Sequence, residues 1–224
     1  MLHRSDDLVV VNKPADVSLL ADRSGAACLW DALPELLGAR PYLVHRLDKP
    51  TSGVLAVALN PESQRRLTRL FQSRAVRKYY LAGVTGHPLP AGRIDLPLRK
   101  GRKSRYRVAG PRSGIVEHDG HFSLAHPTGD GHPSLTRFRR LAQSPTHALL
   151  LLAPRTGRTH QLRVHLAWIG HPILGDRLYG APGDPSQQAP RLMLHAHRLV
   201  LPGFGSFSAP LDMDPRTWMT AGPI

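Results

Sequence analysis

Cysteine is almost missing from the 224-residue chain: Cys28 stands alone. One thiol excludes an internal disulfide and any zinc site built on several cysteines, and it makes a reducing cytoplasm the default compartment. Long apolar runs are missing too. The longest, 54–59 and 148–153, have six residues each, against roughly 20 for a membrane-spanning helix. No secretory signal opens the chain, because Asp6 and Asp7 fall where its apolar stretch would begin. Lysine is scarce: only five of the 30 basic residues are Lys, and the other 25 are Arg. Acidic residues number 16, for a net charge of +14. The deficit of acid is local. Segment 63–116 holds fourteen basic residues and one acid, Asp95, while the rest of the chain is close to neutral.

With 41% hydrophobic residues, a chain of this length buries a core without staples, so one domain over 1–224 is expected and disorder of the whole is excluded. An Arg-rich segment fits a polyphosphate partner, because the planar guanidinium binds phosphate oxygens in pairs. Nucleic acid is therefore favoured over a merely solvated basic face. A membrane surface is disfavoured, because no basic stretch has a broad apolar stripe.

The β-branched run 8–13, ended by Pro14, reads as a strand. Segment 26–37 puts Leu29, Trp30, Leu33 and Leu37 on one helical face, against the break expected at Pro34. Short strands follow at 42–44 and 54–59. Asn60-Pro61-Glu62 is a helix start, with a capping side chain, a proline at the first turn and an acid near the positive end. Arg65, Arg66 and Arg69 then face solvent opposite Leu67, Leu70 and Phe71. Segment 78–84 reads as a strand, 99–112 as a basic hairpin or loop, 117–133 as loop, and 135–141 as an edge strand. Strands at 148–153 and 193–201 bracket a helix over 159–170, with Leu162, Leu166 and Ile169 on its apolar face and Gly170 as its stop, and a turn-rich connection from 180 to 190. Strands and helices mix without regular βαβ alternation. The expected class is α+β: a mainly antiparallel mixed sheet flanked by helices and loops.

Two polar clusters interrupt this pattern. Segment 45–53, His45-Arg46-Leu47-Asp48-Lys49-Pro50-Thr51-Ser52-Gly53, sets ionisable side chains between two apolar strands. Asp48 is its only acid, and Arg46 and Lys49 beside it favour the ionised form, which can serve as nucleophile, base or metal ligand. The bland reading is a turn aspartate bonded to its own backbone. The second cluster, Gly157-Arg158-Thr159-His160-Gln161-Leu162-Arg163, opens a helix and offers Arg158, His160 and Gln161 as donors to an anion. Its bland reading is an ordinary capped helix. A kinase loop is excluded, because His-Arg-Asp is not consecutive and no Gly-rich phosphate loop precedes it. Thirteen histidines invite a metal, yet His160 and His165 are five apart, off the spacing a helical zinc pair needs, and His195 with His197 lacks a third ligand. No metal is expected.

The segment from His45 to Leu55 resembles the signature motif of the RluA-type RNA pseudouridine synthases. Asp7-Leu8-Val9-Val10-Val11-Asn12-Lys13-Pro14 resembles that family's opening strand, and Lys78-Tyr79-Tyr80 its Lys-x-Tyr motif. Segment 157–180 resembles its third motif, and Arg191 to Ala196 its closing strand. The resemblance implies isomerisation of uridines in ribosomal or transfer RNA without cofactor or metal. Asp48 would be the nucleophile, Tyr80 the ring at the base, and Arg163 the basic partner of the aspartate. RNA contacts are expected from His45, Arg46, Arg158, His160, Gln161, Arg65, Arg66, Arg69, Arg102, Lys103 and Arg105. A monomer is expected.

Three departures from the family pattern stand out. The chain opens a few residues before the first strand, so the small N-terminal RNA-binding domain of many relatives is expected to be absent. Asp16 replaces the usual glycine, and 99–110 is unusually basic. The rival readings are a non-catalytic RNA-binding or ribosome-assembly module on this fold, and a metal-dependent nuclease. The nuclease is disfavoured because no acidic cluster surrounds Asp48 in sequence.

Overall fold

The computed structural model describes residues 1–21, 25–102, 105–126, 129–180, 189–211 and 218. In chain order the elements are β1 (His3–Arg4), β2 (Leu8–Lys13), α1 (Leu29–Leu37), β3 (Tyr42–Leu43), β4 (Ser52–Ala58), α2 (Pro61–Gln72), β5 (Arg77–Thr85), β6 (Ala91–Asp95), β7 (Leu98–Lys100), β8 (Tyr106–Val108), β9 (Ile115–His118), β10 (His121–Leu124), β11 (Leu135–Gln143), β12 (His147–Pro154), α3 (Gln161–Trp168), β13 (Leu194–Leu201) and β14 (Gly205–Ser208). The class is α+β, as the mixed pattern predicts. Where one domain over 1–224 is expected, the contacts divide into two compact units. One is Met1–Lys78 with His195–Asp212, and the other is Tyr79–Leu194 with Met213–Ile224. Among the described residues, no helix is long and apolar enough to cross a membrane.

In the first unit the strands run β1, β2, β4, β13, with β3 on β4 and β14 on β13. All are antiparallel except β4 with β13. β4 is buried along its whole length. Its apolar side chains Val54, Ala56 and Ala58 join Leu8, Val10, Leu199 and Leu201, and α2 closes that core with Leu67. The predicted helix start holds: the Asn60 side chain accepts from Ser63 N at 2.8 Å, and Pro61 opens α2. Pro34 sits inside α1 on an exposed position, so the break expected there does not occur.

At the mouth of the loop 45–53, Gly53 adopts φ +114°, and a side chain there would run into the carbonyl of Ala196 on β13. Only glycine allows the two parallel strands to approach this closely. The neighbouring residue Ser52 bonds Nδ1 of His195 at 2.9 Å, and His195 Nε2 donates to Ala209 O at 3.2 Å. Asp16, the residue in place of the family's glycine, has φ +60°. It occupies the left-handed backbone that glycine adopts without cost and that Asp tolerates better than most residues.

In the second unit the strands run β5, β12, β11, β6, β10, β9, while β7 and β8 pair as a separate hairpin. Two expectations fail here. The stretch 117–133 is not all loop, because β9 and β10 form a hairpin turned by Asp119 (φ +49°) and Gly120 (φ +75°). Asp-Gly is the residue pair that a tight hairpin turn with two positive φ angles requires. β11 is not an edge strand either, since it pairs with β12 on one side and β6 on the other. Its alternation reflects a covered face carrying Thr136 and Phe138 and an exposed face carrying Arg137 and Arg139.

Gly53→Ala is expected to cost at least about 2 kcal/mol through forced positive φ and carbonyl overlap, read as a lowered urea midpoint. An unchanged midpoint would show that β13 can retreat from β4.

Candidate active site

Asp48 and its loop belong to the first unit, and Tyr80 and Arg163 to the second. The contacts within each unit are different in kind.

In the first half, Lys13 is the organising residue. It ends β2 and is 0% exposed. Its ammonium donates to three main-chain carbonyls: Pro14 at 2.8 Å, Val17 at 2.9 Å and Lys49 at 3.0 Å. Three donors meet three acceptors, which is the full capacity of an ammonium. One acceptor belongs to the residue after Asp48, so the loop bearing the aspartate is pinned to the end of β2. Burial pushes the Lys13 pKa down to about 8, against the raising fields of Asp16 and Asp48. The turn bond of the loop runs from Thr51 N–H to the main-chain carbonyl of Asp48 at 3.0 Å. Asp48 is half-buried and Arg46 is exposed.

His45 holds the other side of the same loop. Its Nε2 accepts from Ala56 N at 2.9 Å, and its ring stacks on Phe71 with centroids 4.7 Å apart. Accepting at Nε2 requires the neutral ring with its proton on Nδ1. Burial, aided by the Lys78 charge, lowers its pKa to about 3. Burial also lowers Lys78 to about 8. These contacts give His45 a loop-holding role. Arg65, Arg66 and Arg69 are exposed along α2 as predicted.

In the second half, cross-strand register places Tyr80 opposite Leu152, and Leu152 opposite Phe138. Tyr80 therefore shares a sheet face with Phe138 and Thr136. α3 packs on that face. Gln161 Nε2 donates to Thr136 Oγ1 and Leu135 O, and its Oε1 accepts from Thr156 Oγ1 and Arg158 N, at 2.7–3.1 Å. His165 Nε2 donates to Leu96 O at 2.9 Å, and its Nδ1 lies 3.0 Å from Thr136 Oγ1. Burial drives the His165 pKa down to about 4. Gln161 and His165 thus tie the helix to the sheet. Gln161, 4% exposed, has all its polar atoms committed inside the protein and is not the RNA contact expected. The one-sided apolar face predicted for this helix is also corrected: every residue from 161 to 167 is buried.

Arg163 is buried on α3, and Asp176 grips it from the side. Nε donates to Oδ2 at 2.8 Å and Nη2 to Oδ1 at 2.7 Å. Asp176, 1% exposed, also accepts at Oδ1 from Leu178 N (3.0 Å) and Tyr179 N (3.1 Å). The Tyr179 ring lies 5.1 Å from the Arg163 guanidinium carbon. Gly175 (φ +73°) sets up this turn against the carbonyl of Arg191. Sequence reading passed over Lys13 and Asp176. The available signals were a lysine closing a β-branched strand and an acid that follows a glycine, Gly175-Asp176, after an apolar pair. Among the other expected contacts, Arg158, Arg102 and Arg105 are exposed and His160 is half-buried, while Lys103 lies outside the described residues. Among the described residues, no three His, Cys, Asp or Glu side chains come together as a metal-holding group.

The fold has solved relatives. The chain superposes on the human RNA pseudouridylate synthase domain containing 4 with a TM-score of 0.80 at 27% identity, covering 98% of this chain and 91% of that one. On the human RNA pseudouridylate synthase domain containing 1 the TM-score is 0.75 at 31% identity, with 96% and 84% covered. In sequence it is 37% identical to the dual-specificity RNA pseudouridine synthase RluA of Escherichia coli K12, over 95% of this chain and 93% of the relative. Residues 7–168 match the family described as RNA pseudouridylate synthase, and the chain belongs to that family.

Two outcomes follow from these buried groups. Lys13→Met leaves three carbonyls unpaired and is expected to cost about 2–4 kcal/mol in urea unfolding; full stability would show that the ammonium is dispensable. In the folded chain His45 and His165 stay neutral down to pH about 3 and about 4, while the unfolded chain protonates them near 6.5. Their stabilising effect is complete above pH 6.5 and is lost as pH falls from there, by up to about 1.4 kcal/mol per pH unit per histidine. Urea midpoints between pH 7 and 4.5 measure it, and His165→Gln should flatten the slope by one histidine's share.

Proposed function

We propose that this chain isomerises selected uridines of a structured RNA, ribosomal or transfer, to pseudouridine, with Asp48 as nucleophile, Arg163 as its basic partner and Tyr80 as the ring receiving the base. The observation that carries this reading is the family match over 7–168, which spans all three residues. The reaction breaks the bond from ribose C1′ to uracil N1, turns the base and joins C1′ to C5. The C5 proton is released and N1 gains one, so no electrons enter or leave. A carboxylate can drive this by attacking C1′ or by adding to C6 of the ring, and either route needs it ionised and held in one orientation. A nearby guanidinium favours both. A stacked uracil must leave its helix to be reached, and an aromatic side chain gives the extruded base a face.

The RNA backbone is held by exposed arginines: Arg46, Arg158, the α2 row Arg65, Arg66 and Arg69, and the hairpin residues Arg102 and Arg105. Such contacts position the nucleic acid without reading its sequence. The bacterial relative is named for dual specificity, which supports testing more than one class of RNA as substrate. The enzyme acts as a monomer in the cytoplasm.

Tritium release from RNA labelled at uridine C5 tests the chemistry. Asp48→Ala is expected to abolish release while RNA binding and the melting temperature persist, and turnover by that variant would remove Asp48 from the reaction. Wild-type protein that binds RNA but releases no tritium would favour the non-catalytic RNA-binding module instead. Sequencing of derivatised RNA from a deletion strain identifies the uridines.

A further inference from the structure

One group of side chains in the second unit remains without a role in the chemistry above. It sits where the basic hairpin β7–β8 meets the start of α3. The Tyr179 hydroxyl accepts from the main-chain N–H of Tyr106 at 2.9 Å, which fixes β8. The same hydroxyl hydrogen-bonds Nδ1 of His160 at 2.8 Å. The rings of Tyr106 and Tyr179 both stand edge-on to the His160 ring, with centroids 5.9 and 5.6 Å away. His160 precedes α3 with φ +56°, a left-handed backbone that is strained for a residue with a side chain. Such a conformation persists only where its surroundings impose it, and the Tyr179 bond is one of them. The main-chain N–H of Tyr179 is held by Asp176, and its ring lies beside the Arg163 guanidinium. One phenol therefore touches the hairpin, the strained residue and the arginine.

We propose that Tyr179 is a positioning residue that sets the register between RNA held on the β7–β8 hairpin and the Arg163 guanidinium. The proposal rests on the role given to Arg163 above. Exposed arginines on the hairpin bind phosphate through charge, and charge attraction tolerates small displacements. Turnover does not, because a misplacement of about 1 Å can cost a hundred-fold in rate. A hydroxyl that seats the hairpin against the arginine's own neighbour converts loose backbone binding into a defined distance from the reacting base. Its loss should therefore appear in turnover and leave affinity nearly intact.

Tyr179→Phe is the diagnostic variant, since it keeps the ring beside Arg163 and removes only the hydroxyl. The expected result is a fall in kcat of about ten-fold or more, with the Kd for RNA within about two-fold of wild type. Hydrogen exchange should speed up at the amide of Tyr106 and its neighbours in β8. The active fraction, measured by stoichiometric RNA titration, should stay near that of wild type. A kcat loss that merely tracks a lower active fraction would overturn the proposal, as would a weaker Kd with kcat unchanged, or wild-type kcat. Arg163→Ala separates the two levels of the argument. If it turns over normally, the role given to Arg163 fails. If it is strongly impaired while Tyr179→Phe behaves as wild type, only the coupling through Tyr179 fails.

Discussion

A cation taken out of water has to be met by oxygen, and that constraint shapes each of the two units. Lys13 is surrounded by three carbonyls drawn from two segments, the turn after β2 and the loop of Asp48. Arg163 is met by a carboxylate that is itself held by two backbone N–H groups. In neither case is the ion a decoration on a finished fold. The loops bend as they do because a charge with a large desolvation cost requires their oxygens at hydrogen-bond distance. The consequence for chemistry is rigidity. Neither the loop bearing Asp48 nor the helix bearing Arg163 can drift without breaking a buried charged contact.

The neutral groups add to the same end. His45 gives up its proton affinity to accept a backbone N–H, and His165 joins Gln161 and Thr136 in a chain where donors and acceptors match. A buried polar network costs little when every member is satisfied, and it then specifies one arrangement. By contrast, Arg65, Arg66 and Arg69 of α2 and Arg102 and Arg105 of the β7–β8 hairpin are exposed, where long charged side chains gain little from any one geometry. The molecule thus separates two tasks. Polar groups that hold the loops and helices are buried and exhausted by internal bonds, and the arginine rows are left in water.

Much of this was legible in residue order. The cap at Asn60-Pro61, the strand at 8–13 and the site loop at 45–53 follow from local chemistry, and the structure places them where periodicity and turn residues put them. The β9–β10 hairpin was equally local, announced by Asp119-Gly120, but the histidines and glycines around it obscured the alternation. Other features were not local at all. Whether β11 is an edge depends on β6, a strand that ends 40 residues before β11 begins in the sequence and about which 135–141 says nothing. Asp176 looks like any turn acid until Arg163 is seen beside it. Polar residues in a motif suggest a ligand, and Gln161 and His45 alone give no sign of the internal bonds they make. Their partners, Thr136, Thr156 and Ala56, become visible only when the chain is folded.

The choice of arginine at 163 follows from the same geometry. Asp176 engages the guanidinium along its Nε and Nη2 edge, and a planar ion gripped on one edge has its remaining N–H directions fixed in space. A lysine at this position would present one nitrogen with rotatable donors; paired with Asp176, it would have no second edge to aim. The pair is worth little as a stabilising ion pair, because burying both charges costs about what their attraction returns. Its value lies in orientation. Asp176 offsets the cost of keeping the cation dry, the turn from Gly175 to Tyr179 keeps Asp176 itself from rotating, and the ring of Tyr179 lies beside the guanidinium. A guanidinium gripped in this way on two nitrogens is fixed in direction as well as in place, which a single-point ion pair does not achieve.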